Sequence, residues 1–328
     1  MKDMISIGVI THEPYLGNYK RLMSQIISQK KECEKNYCGN IELVTLLQVS
    51  KETFAKRKDI VVGNEKDVTE YVYSKNFTPS EARNFIVNRS AGEWIAFIDG
   101  DCEIGINYCK SLINAIKNVP DNIGAIQGGI FASKLSFYGR YEFFYDIISL
   151  LEMEIERASI FFKASSKLAN KRVKQMYDMY PENNIRKLQG YNFAISRKTF
   201  SDIGEFNVSI ETAEDREYSA RMLKFGKNIL FDKEIEVYHD YNMTLKRILR
   251  RKKWHAKGCA FLRVTNEEVY DTDIVERFIY MLKMFCICRK PSYIFYRTIT
   301  DIVFWSEVKR IMKKDYNNKI RFCKKRIQ

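Results

Sequence analysis

Asp99, Gly100 and Asp101 are the residues of this sequence whose types and spacing most directly suggest chemistry. Two carboxylates one residue apart can face a single divalent cation, and carboxylate oxygens are ligands that Mg²⁺ and Mn²⁺ take in proteins. A cation held in this way keeps positions open for phosphate oxygens, and a glycine between the acids allows a tight backbone turn. Taken alone, the three residues fit an ordinary polar turn equally well.

An unbroken apolar run from Trp94 to Ile98 precedes the two acids. Such a run is typical of a strand that is buried on both faces of a parallel sheet. In open α/β sheets, ligands bind at the carboxyl ends of the strands, which is where the two acids stand. The sequence therefore predicts a site for a cation and a diphosphate at this strand end.

Segments with strand and helix character alternate on both sides of this strand. The patterns before it predict strands at 5–10, 41–49 and 60–62, a loop around Pro14 and Gly17, and helices at 20–35 and 80–91, the latter capped by Ser80. A helix at 106–118 and a strand at 123–132 follow. This order predicts an α/β fold with a doubly wound, mostly parallel sheet flanked by helices.

The second half of the chain is more helical. Its patterns predict a long aromatic helical insert at 138–178, a strand and helix within 188–200, a helix at 212–226 that Thr212 caps and Gly226 ends, and short strands at 228–231 and 234–239. From 244 to 328 the pattern indicates basic, aromatic helices with a break at Pro291 and Ser292.

Composition limits the function classes. The chain has 328 residues, of which 45% are hydrophobic, so it can form a stable core without disulfide bonds or structural metal ions. Its 8 cysteines lack the paired CxxC spacing of zinc sites. The N-terminus lacks the long apolar stretch of a secretory signal, so we expect a cytoplasmic location with reduced thiols.

The formal net charge of +14 is concentrated at 246–258 and 309–326. A basic surface attracts anionic lipid, nucleic acid or acidic substrates. No recognised nucleic-acid module is present, so we expect no nucleic-acid partner. Aromatic residues interleave with Lys and Arg beyond residue 246, which favours peripheral contact with the inner face of an anionic membrane.

Three blocks in order resemble family 2 glycosyltransferases of the GT-A fold. The first, 80–104, has an Ala-Arg-Asn helix, a small-residue turn, an apolar strand and a DxD motif. The second, 190–229, has a Gly-x-Asn strand, Ile-Gly-x-Phe and a Glu-Asp pair on a helix that ends in Gly. The third, 236–258, has a histidine followed by a basic helix. The resemblance implies a GT-A catalytic domain at 1–243, with a nucleotide-binding half at 1–132 and a helical insert and acceptor-side half at 133–243, followed by a C-terminal region at 244–328.

The resemblance also implies roles on the donor side. Asp99 would contact the nucleotide ribose or the metal, Asp101 would bind the metal, and His239 would complete the metal shell. A buried or surface histidine at a strand end is the alternative for His239. Further positions that match the family's nucleotide-binding segments are Thr11, Glu13, Arg83, Asn84 and Gly100.

On the acceptor side, the resemblance implies that Asp215, with Glu214 as second choice, is the catalytic base of an inverting reaction. Both acids would also suit an ordinary helix N-terminus. Gly190, Tyr191 and Asn192 would flank the sugar or the acceptor. The segment from Arg250 to Trp254 resembles the Q/RxxRW motif of processive relatives with Lys253 in place of its Arg, and a solvated or membrane-facing helix explains it equally well.

The sequence thus predicts an inverting hexosyltransferase that depends on Mn²⁺ or Mg²⁺. It would move sugar from a nucleotide-sugar donor, UDP-sugar being favoured, to a glycan, lipid-linked or protein acceptor in cell-surface glycan or glycoconjugate synthesis. In many relatives an Asp-rich turn that holds the nucleotide base follows the second strand. Here the strand at 41–49 is followed by no acid before Glu52, so the sequence does not determine which nucleotide is bound. The alternatives are a membrane-surface binding protein with little or no activity on the same scaffold, or a sugar nucleotidyltransferase. The latter would need a Gly-rich basic first loop, which THEPYLGNYK is not.

Overall fold

The structure is a computed structural model that describes residues 4–36, 40–56, 66–151, 166–180, 184–264 and 291–326. In these residues, nine strands form one mixed sheet. The strands are β1 (Met4–His12), β2 (Asn40–Gln48), β3 (Val68–Tyr73), β4 (Trp94–Asp99), β5 (Glu103–Ile104), β6 (Ile123–Leu135), β7 (Asn184–Ile185), β8 (Asn192–Ser196) and β9 (Asn228–Tyr241).

Helices cover the sheet. In chain order they are a 3₁₀ turn (Glu13–Tyr15), α1 (Leu16–Asn36), α2 (Lys51–Ala55), α3 (Pro79–Arg89), α4 (Tyr108–Lys117), α5 (Gly139–Leu151), α6 (Ser166–Met179), α7 (Arg197–Ile203), α8 (Glu214–Lys224), α9 (Leu245–Val264) and α10 (Pro291–Arg326).

The order of strands in the sheet is β3-β2-β1-β4-β8-β6-β9-β5, and β7 pairs with β9. The first four strands in this order are parallel, β8 is antiparallel to both of its neighbours, and β6 and β9 are parallel to each other. Ile10 lies opposite Asp99, so β1 and β4 end at the same edge. The predicted α/β class with a mostly parallel, helix-flanked sheet is confirmed, and its edge holds the two acids.

The core explains why β4 has no polar residue before Asp99. Ile95, Ala96, Phe97 and Ile98 are all buried, as the unbroken apolar run predicted. The main apolar cluster begins at Ile5 of β1, includes residues as far along the chain as Ile248 of α9, and also contains Tyr296 of α10. The predicted domain boundary after residue 243 stays a prediction.

Two local predictions for the first half are wrong, and a third is not tested. The predicted loop around Pro14 and Gly17 is shorter, because β1 continues to His12 and α1 begins at Leu16. The third strand is β3, and the predicted strand at 60–62 lies outside the described residues. Thr78, not Ser80, caps α3: its side chain accepts from the N–H of Glu81, whose carboxylate accepts from Thr78 in return.

The second half also departs from the patterns. One 14-residue strand, β9, replaces the two short strands that were predicted. Thr212 is not a cap, because Ala213 stands at the N-terminus of α8 with a φ of 68° and no side-chain cap. Gly226, with a φ of 73°, does follow the end of α8 as predicted. Of the insert at 138–178, α5 and α6 are described and 152–165 lie outside the described residues.

The helices α9 and α10 pack against each other around a small apolar cluster of Ala256, Ala260 and Val308. Gly258 lets α9 approach the loop before α8, since a Cβ at this position would lie 2.0 Å from the carbonyl oxygen of Thr212. The described part of α10 begins at Pro291, and because residues 265–290 lie outside the described residues, the predicted break at Pro291 and Ser292 stays a prediction. None of the helices in the described residues is long and apolar enough to cross a membrane.

Candidate active site

A cavity of about 630 Å³ lies at the carboxyl ends of β1, β2 and β4. One of its sides, the strand side, is formed by residues at or just after strand ends, including Thr11, Asp99 and Asp101. The other, the helical side, is formed by α5, α9 and α10. The N-terminus of α8 and the loop before β8 lie between them and complete the wall.

The two acids stand where the register of the sheet places them. Asp99 is the last residue of β4, and Asp101 follows the one-residue turn. Gly100 does not have a positive φ; it is required because a Cβ would lie 2.3 Å from the Cβ of Thr11 and 3.1 Å from the carbonyl oxygen of Ile10. The glycine thus serves the close approach of β1, rather than the tight turn that the sequence suggested.

His239 is brought to the acids by the pairing of β5 with β9. Glu103 lies opposite Tyr238, so the neighbouring His239 reaches Asp101, and its Nε2 is 3.6 Å from Asp101 Oδ2. Burial lowers the pKa of His239, which favours the neutral imidazole, the form that binds metals. Its Nδ1 is buried and has no hydrogen-bond partner among the described residues.

Asp99 is destabilised as an anion. Burial first, and then the charge of Asp101, raise the pKa of Asp99 to about 7. A divalent cation would offset both effects, and carboxylate oxygens with a neutral imidazole form a donor set suited to Mn²⁺. The residues present therefore fit such an ion, although no group of three or more His, Cys, Asp or Glu in the described ranges is already assembled as a metal site.

Arg83 organises the floor between the acids and α8. It is 4% exposed, forms an ion pair with Glu214 and donates from Nη2 to the carbonyl oxygen of Gly190 at 2.8 Å. Its guanidinium lies 6.0, 5.4 and 5.8 Å from the ring centroids of Phe97, Phe193 and Phe206. A buried cation whose two terminal nitrogens are both paired holds its neighbours in one arrangement, although its Nε has no hydrogen-bond partner among the described residues.

Two consecutive acids at the start of α8 have different surroundings. Glu214 is buried and paired with Arg83, and burial raises its pKa. Asp215 is half-buried and lines the cavity, where Oδ2 accepts from the N–H of Gly190 at 2.9 Å and Oδ1 from that of Arg216 at 2.8 Å. A Cβ on Gly190 would lie 2.7 Å from Arg83 Nη2, so a larger residue there would displace the guanidinium.

The structure does not bring together all of the predicted site residues. Thr11, Gly190 and Tyr191 line the cavity with the acids. Asn192 is fully buried, and its side-chain amide donates to the carbonyl oxygens of Gly129 and Ile235 within the sheet. Glu13 accepts hydrogen bonds from Ser50 and Thr53 and orders the start of α2. Asn84 bonds to the backbone of Phe206, so its contacts are structural.

The basic helix α9 presents one face to the cavity. Arg247, Arg250, Arg251 and Trp254 line it, at the spacing of neighbours on one side of a helix. Lys253, which stands where the motif of processive relatives has Arg, is exposed and does not line the cavity. Arg251 donates to His255 Nε2 at 3.2 Å, and Arg247 donates to the hydroxyl of Tyr15 at 2.8 Å.

Several cavity residues were not found from the sequence. On the strand side these are His12, Gln48 and Phe77, and on the helical side Glu142, Tyr145, Asp146 and Arg297. The strand-end rule that found Asp99 could have found His12 and Gln48, because both end parallel strands. No local signal marked those on α5 and α10, because their place depends on how the helices pack.

Comparison with known proteins gives a consistent result. The model of "Glycosyl transferase family 2" matches residues 40–204, just over half of the chain. A mannosyltransferase from Pyrobaculum calidifontis, solved with GDP-Man and Mn²⁺, is similar with a TM-score of 0.53 and 13% identity over 95% of this chain and 87% of that one. The structure of GalNAc-T7 with UDP, GalNAc and Mn²⁺ gives 0.46 and 14%, over 73% of this chain and 43% of that one.

No curated protein sequence shows significant similarity to the chain. The likeness to the mannosyltransferase concerns the fold, which is the GT-A glycosyltransferase fold expected from the sequence. The DxD strand, the Ala-Arg-Asn helix and the strand at 192–196 all fall within the matched residues. The chain belongs to glycosyl transferase family 2.

Proposed function

We propose that the protein is an inverting glycosyltransferase that uses Mn²⁺ or Mg²⁺ and a nucleotide-sugar donor, and that transfers the sugar to an acceptor hydroxyl. The observation that carries the proposal is the convergence of Asp99, Asp101, His239 and Asp215 on one cavity at the carboxyl edge of the sheet. Cell-surface glycan or glycoconjugate synthesis is the role that we infer for such a reaction.

The donor half of the proposal rests on charge. Asp99 and Asp101, with His239, would hold the cation, which would neutralise the negative charge on the departing diphosphate. Arg247, Arg250 and Arg251 on α9 add positive charge to the same cavity. The mannosyltransferase of similar fold was solved with a nucleotide sugar and Mn²⁺, which supports a cation and a nucleotide-sugar donor in general. The nucleotide that this protein uses is left to experiment.

The acceptor half rests on Asp215. Inversion needs a carboxylate that removes the proton of the acceptor hydroxyl while that oxygen attacks the anomeric carbon. Asp215 faces the cavity and is oriented by the N–H groups of Gly190 and Arg216, whereas Glu214 is engaged with Arg83. We therefore assign the base to Asp215 and a positioning role to Glu214.

Calorimetry and product analysis test the proposal together. Titration with UDP-, GDP-, dTDP- and CDP-sugars should give binding with one of them that requires Mn²⁺ or Mg²⁺ and is lost with EDTA. With the bound donor and a mixture of glycan and lipid-linked acceptors, NMR of the new linkage should show the anomeric configuration opposite to that of the donor. Binding without metal, or a retained configuration, would contradict the proposal.

We also propose that the exposed surface of α9 and α10 contacts an anionic membrane, so that the acceptor is lipid-linked. On α10 the exposed residues Phe295, Ile302, Lys309 and Lys313 follow one stripe, with Phe295 and Ile302 64% and 62% exposed. Arg310 first, and more weakly Lys253 and Lys257 of α9, lower the pKa of Glu307, so the basic surfaces of the two helices adjoin. Apolar residues beside cations suit a lipid interface.

Vesicle flotation tests this contact. The protein should float with vesicles of phosphatidylcholine and phosphatidylserine and not with phosphatidylcholine alone. Lys309→Glu with Lys313→Glu should weaken binding strongly, since each basic residue near an anionic surface contributes about 1 kcal/mol. The matched control is Lys20→Glu with Lys198→Glu, which changes the net charge equally on exposed residues elsewhere. Equal flotation of both double variants would contradict a specific lipid-binding face.

A further inference from the structure

The imidazole of His239 is held between two tyrosine rings. Its centroid lies 5.1 Å from that of Tyr191, with the planes inclined by 33°, and 4.9 Å from that of Tyr241, in an edge-on arrangement. Tyr241 is on the same strand, two residues away, and Tyr191 reaches the imidazole from the loop before β8. All three side chains are buried, so the ring has little freedom to rotate.

This packing replaces the usual means of orienting a histidine ligand. In metal sites, the second ring nitrogen normally donates to a carboxylate or carbonyl, which fixes the direction of the first. Here Nδ1 has no hydrogen-bond partner among the described residues, while Nε2 faces Asp101 at 3.6 Å. The orientation of the imidazole therefore depends on the two tyrosine rings.

The hydroxyls of both tyrosines meet at one carboxylate of α5. Tyr241 donates to Asp146 Oδ2 at 2.9 Å, Tyr191 lies 3.4 Å from the same oxygen, and the two hydroxyl oxygens are 3.0 Å apart. Gln189 extends the network, because its Oε1 is 2.9 Å from the hydroxyl of Tyr191 and its Nε2 donates to the backbone carbonyl of Asp146 at 2.8 Å.

We propose that Asp146 is a positioning residue for the cation site: it fixes Tyr191 and Tyr241, and through their rings it holds His239 Nε2 toward Asp101. The assignment rests on the proposed cation at Asp99, Asp101 and His239. It gives α5, a helix of the acceptor-side insert, a role in the donor site. Displacement of Asp146 by an acceptor or by movement of α5 would thus alter the affinity of the cation.

Direct Mn²⁺ binding tests the assignment without any turnover. Free Mn²⁺ is measured by electron paramagnetic resonance during titration of the full chain, with no nucleotide and no acceptor, so that a contact between Asp146 and an acceptor cannot contribute. Asp146→Ala should weaken Mn²⁺ affinity about 10-fold to 100-fold, the usual effect of removing an orienting residue behind a ligand. Asp146→Asn keeps an acceptor oxygen for Tyr241 and should restore most of the affinity.

The hydroxyl itself is tested by Tyr241→Phe, which keeps the ring and should cause a smaller loss than Asp146→Ala. Pulsed electron paramagnetic resonance of bound Mn²⁺ should show nitrogen modulation from the imidazole in the wild-type protein, weakened in Asp146→Ala and recovered in Asp146→Asn. Asp202→Ala is the control, because it removes a helical carboxylate that pairs with Lys198 on α7, outside the cavity lining. Its Mn²⁺ affinity should equal that of the wild type.

The outcomes separate the two levels of inference. A wild-type protein that binds no Mn²⁺ would overturn the proposed function and this assignment with it. A wild-type protein that binds Mn²⁺, with unchanged affinity and nitrogen modulation in Asp146→Ala and Tyr241→Phe, would overturn the assignment alone. Should Asp146→Ala not fold, Tyr241→Phe and the double variant Tyr191→Phe, Tyr241→Phe decide, since neither removes the buried rings.

Discussion

The strand side and the helical side of the cavity are built by different interactions. On the strand side, ladder hydrogen bonds fix the backbone of Thr11, Asp99 and His239 through the pairing of β1 with β4 and of β6 with β9. On the helical side, pairs of long side chains set the positions: Lys252 Nζ is 2.9 Å from Glu142, and Arg297 Nε is 2.9 Å from Asp301. Backbone register allows one geometry, whereas long side chains can rearrange.

This difference suits the cation and the substrates of the proposed reaction. A divalent cation requires ligands within a few tenths of an ångström of their proper places, which a paired sheet edge supplies. Diphosphates and acceptors differ in size and shape, and a wall of arginine, lysine and tyrosine side chains can adapt to them. We therefore expect substitutions on the strand side to change turnover strongly, and those on the helical side to change apparent affinity by less.

The largest effect is expected for Asp101→Ala. Loss of the proposed metal ligand should reduce kcat/KM roughly 1,000-fold, which is about 4 kcal/mol of activation free energy, because the diphosphate would lose its counter-charge. Transfer assays over a range of Mn²⁺ concentrations measure the effect, and EDTA should have the same consequence in the wild-type protein. The exposed Asp121→Ala is the control. Activity within tenfold of the wild type would remove Asp101 from the metal site.

Arg83→Met tests how much the buried ion pair between Arg83 and Glu214 stabilises the protein beneath the strand side. Because removal of one partner leaves Glu214 as an uncompensated buried charge, the free energy of unfolding should fall by about 3–5 kcal/mol. Urea denaturation measures the change. Addition of Glu214→Leu should recover much of the stability, since an apolar pair of similar volume replaces the ion pair. A loss below 1 kcal/mol in the single variant would mean that the pair does not stabilise the floor of the cavity.

Asp215→Asn separates binding from proton transfer at the junction of the two sides. Transfer should fall roughly 100-fold to 1,000-fold, because the amide cannot take the proton of the acceptor hydroxyl. Donor affinity, measured by calorimetry with Mn²⁺, should stay within a factor of a few. Glu214→Gln should mainly lower stability through its contact with Arg83. Equal losses of turnover in both variants would show that the base has been assigned to the wrong acid or is shared.

The smallest effect is expected for Arg250→Ala on the helical side. Arg250 lines the cavity but is exposed, so its attraction for a diphosphate is weakened by solvent and salt. The KM for the donor should rise severalfold at low ionic strength, and the difference from wild type should shrink at high salt, while kcat stays the same. Lys253→Ala, outside the cavity lining, is the matched control. A large drop in kcat would instead place Arg250 against the transition state.

The fold and the strand side could be predicted because both follow from local patterns. The apolar run at 94–98 and the acids behind it are contiguous in sequence, and sheet rules fix where such residues lie. Asn192 shows the limit of this reasoning: it begins β8, yet its amide points into the sheet and bonds to β6 and β9. The position of a residue at a strand end does not determine the direction of its side chain.

The helical side could not be predicted, because contacts between distant segments create it. In the sequence, nothing distinguishes Asp146 from any other acid on an amphipathic helix. In the structure, the hydroxyls of two tyrosines, one from β9 and one from the loop before β8, lie beside it. Likewise, Thr212 does not cap α8: the N-cap residue is Ala213, and the hydroxyl of Thr212 instead lies 3.1 Å from His255 Nδ1 of α9. Tertiary contacts overrode the local preference in both cases.

The contacts of Arg83 have a consequence for how the protein acquires activity during folding. Arg83 is separated by 107 residues from Gly190 and by 131 residues from Glu214, so closure of long chain loops must precede both contacts. The first four strands can form their parallel ladder without them. Asp215, the proposed base, is oriented by Gly190, which Arg83 contacts, so we expect a nascent chain to form these four strands before the carboxylate of Asp215 is in place.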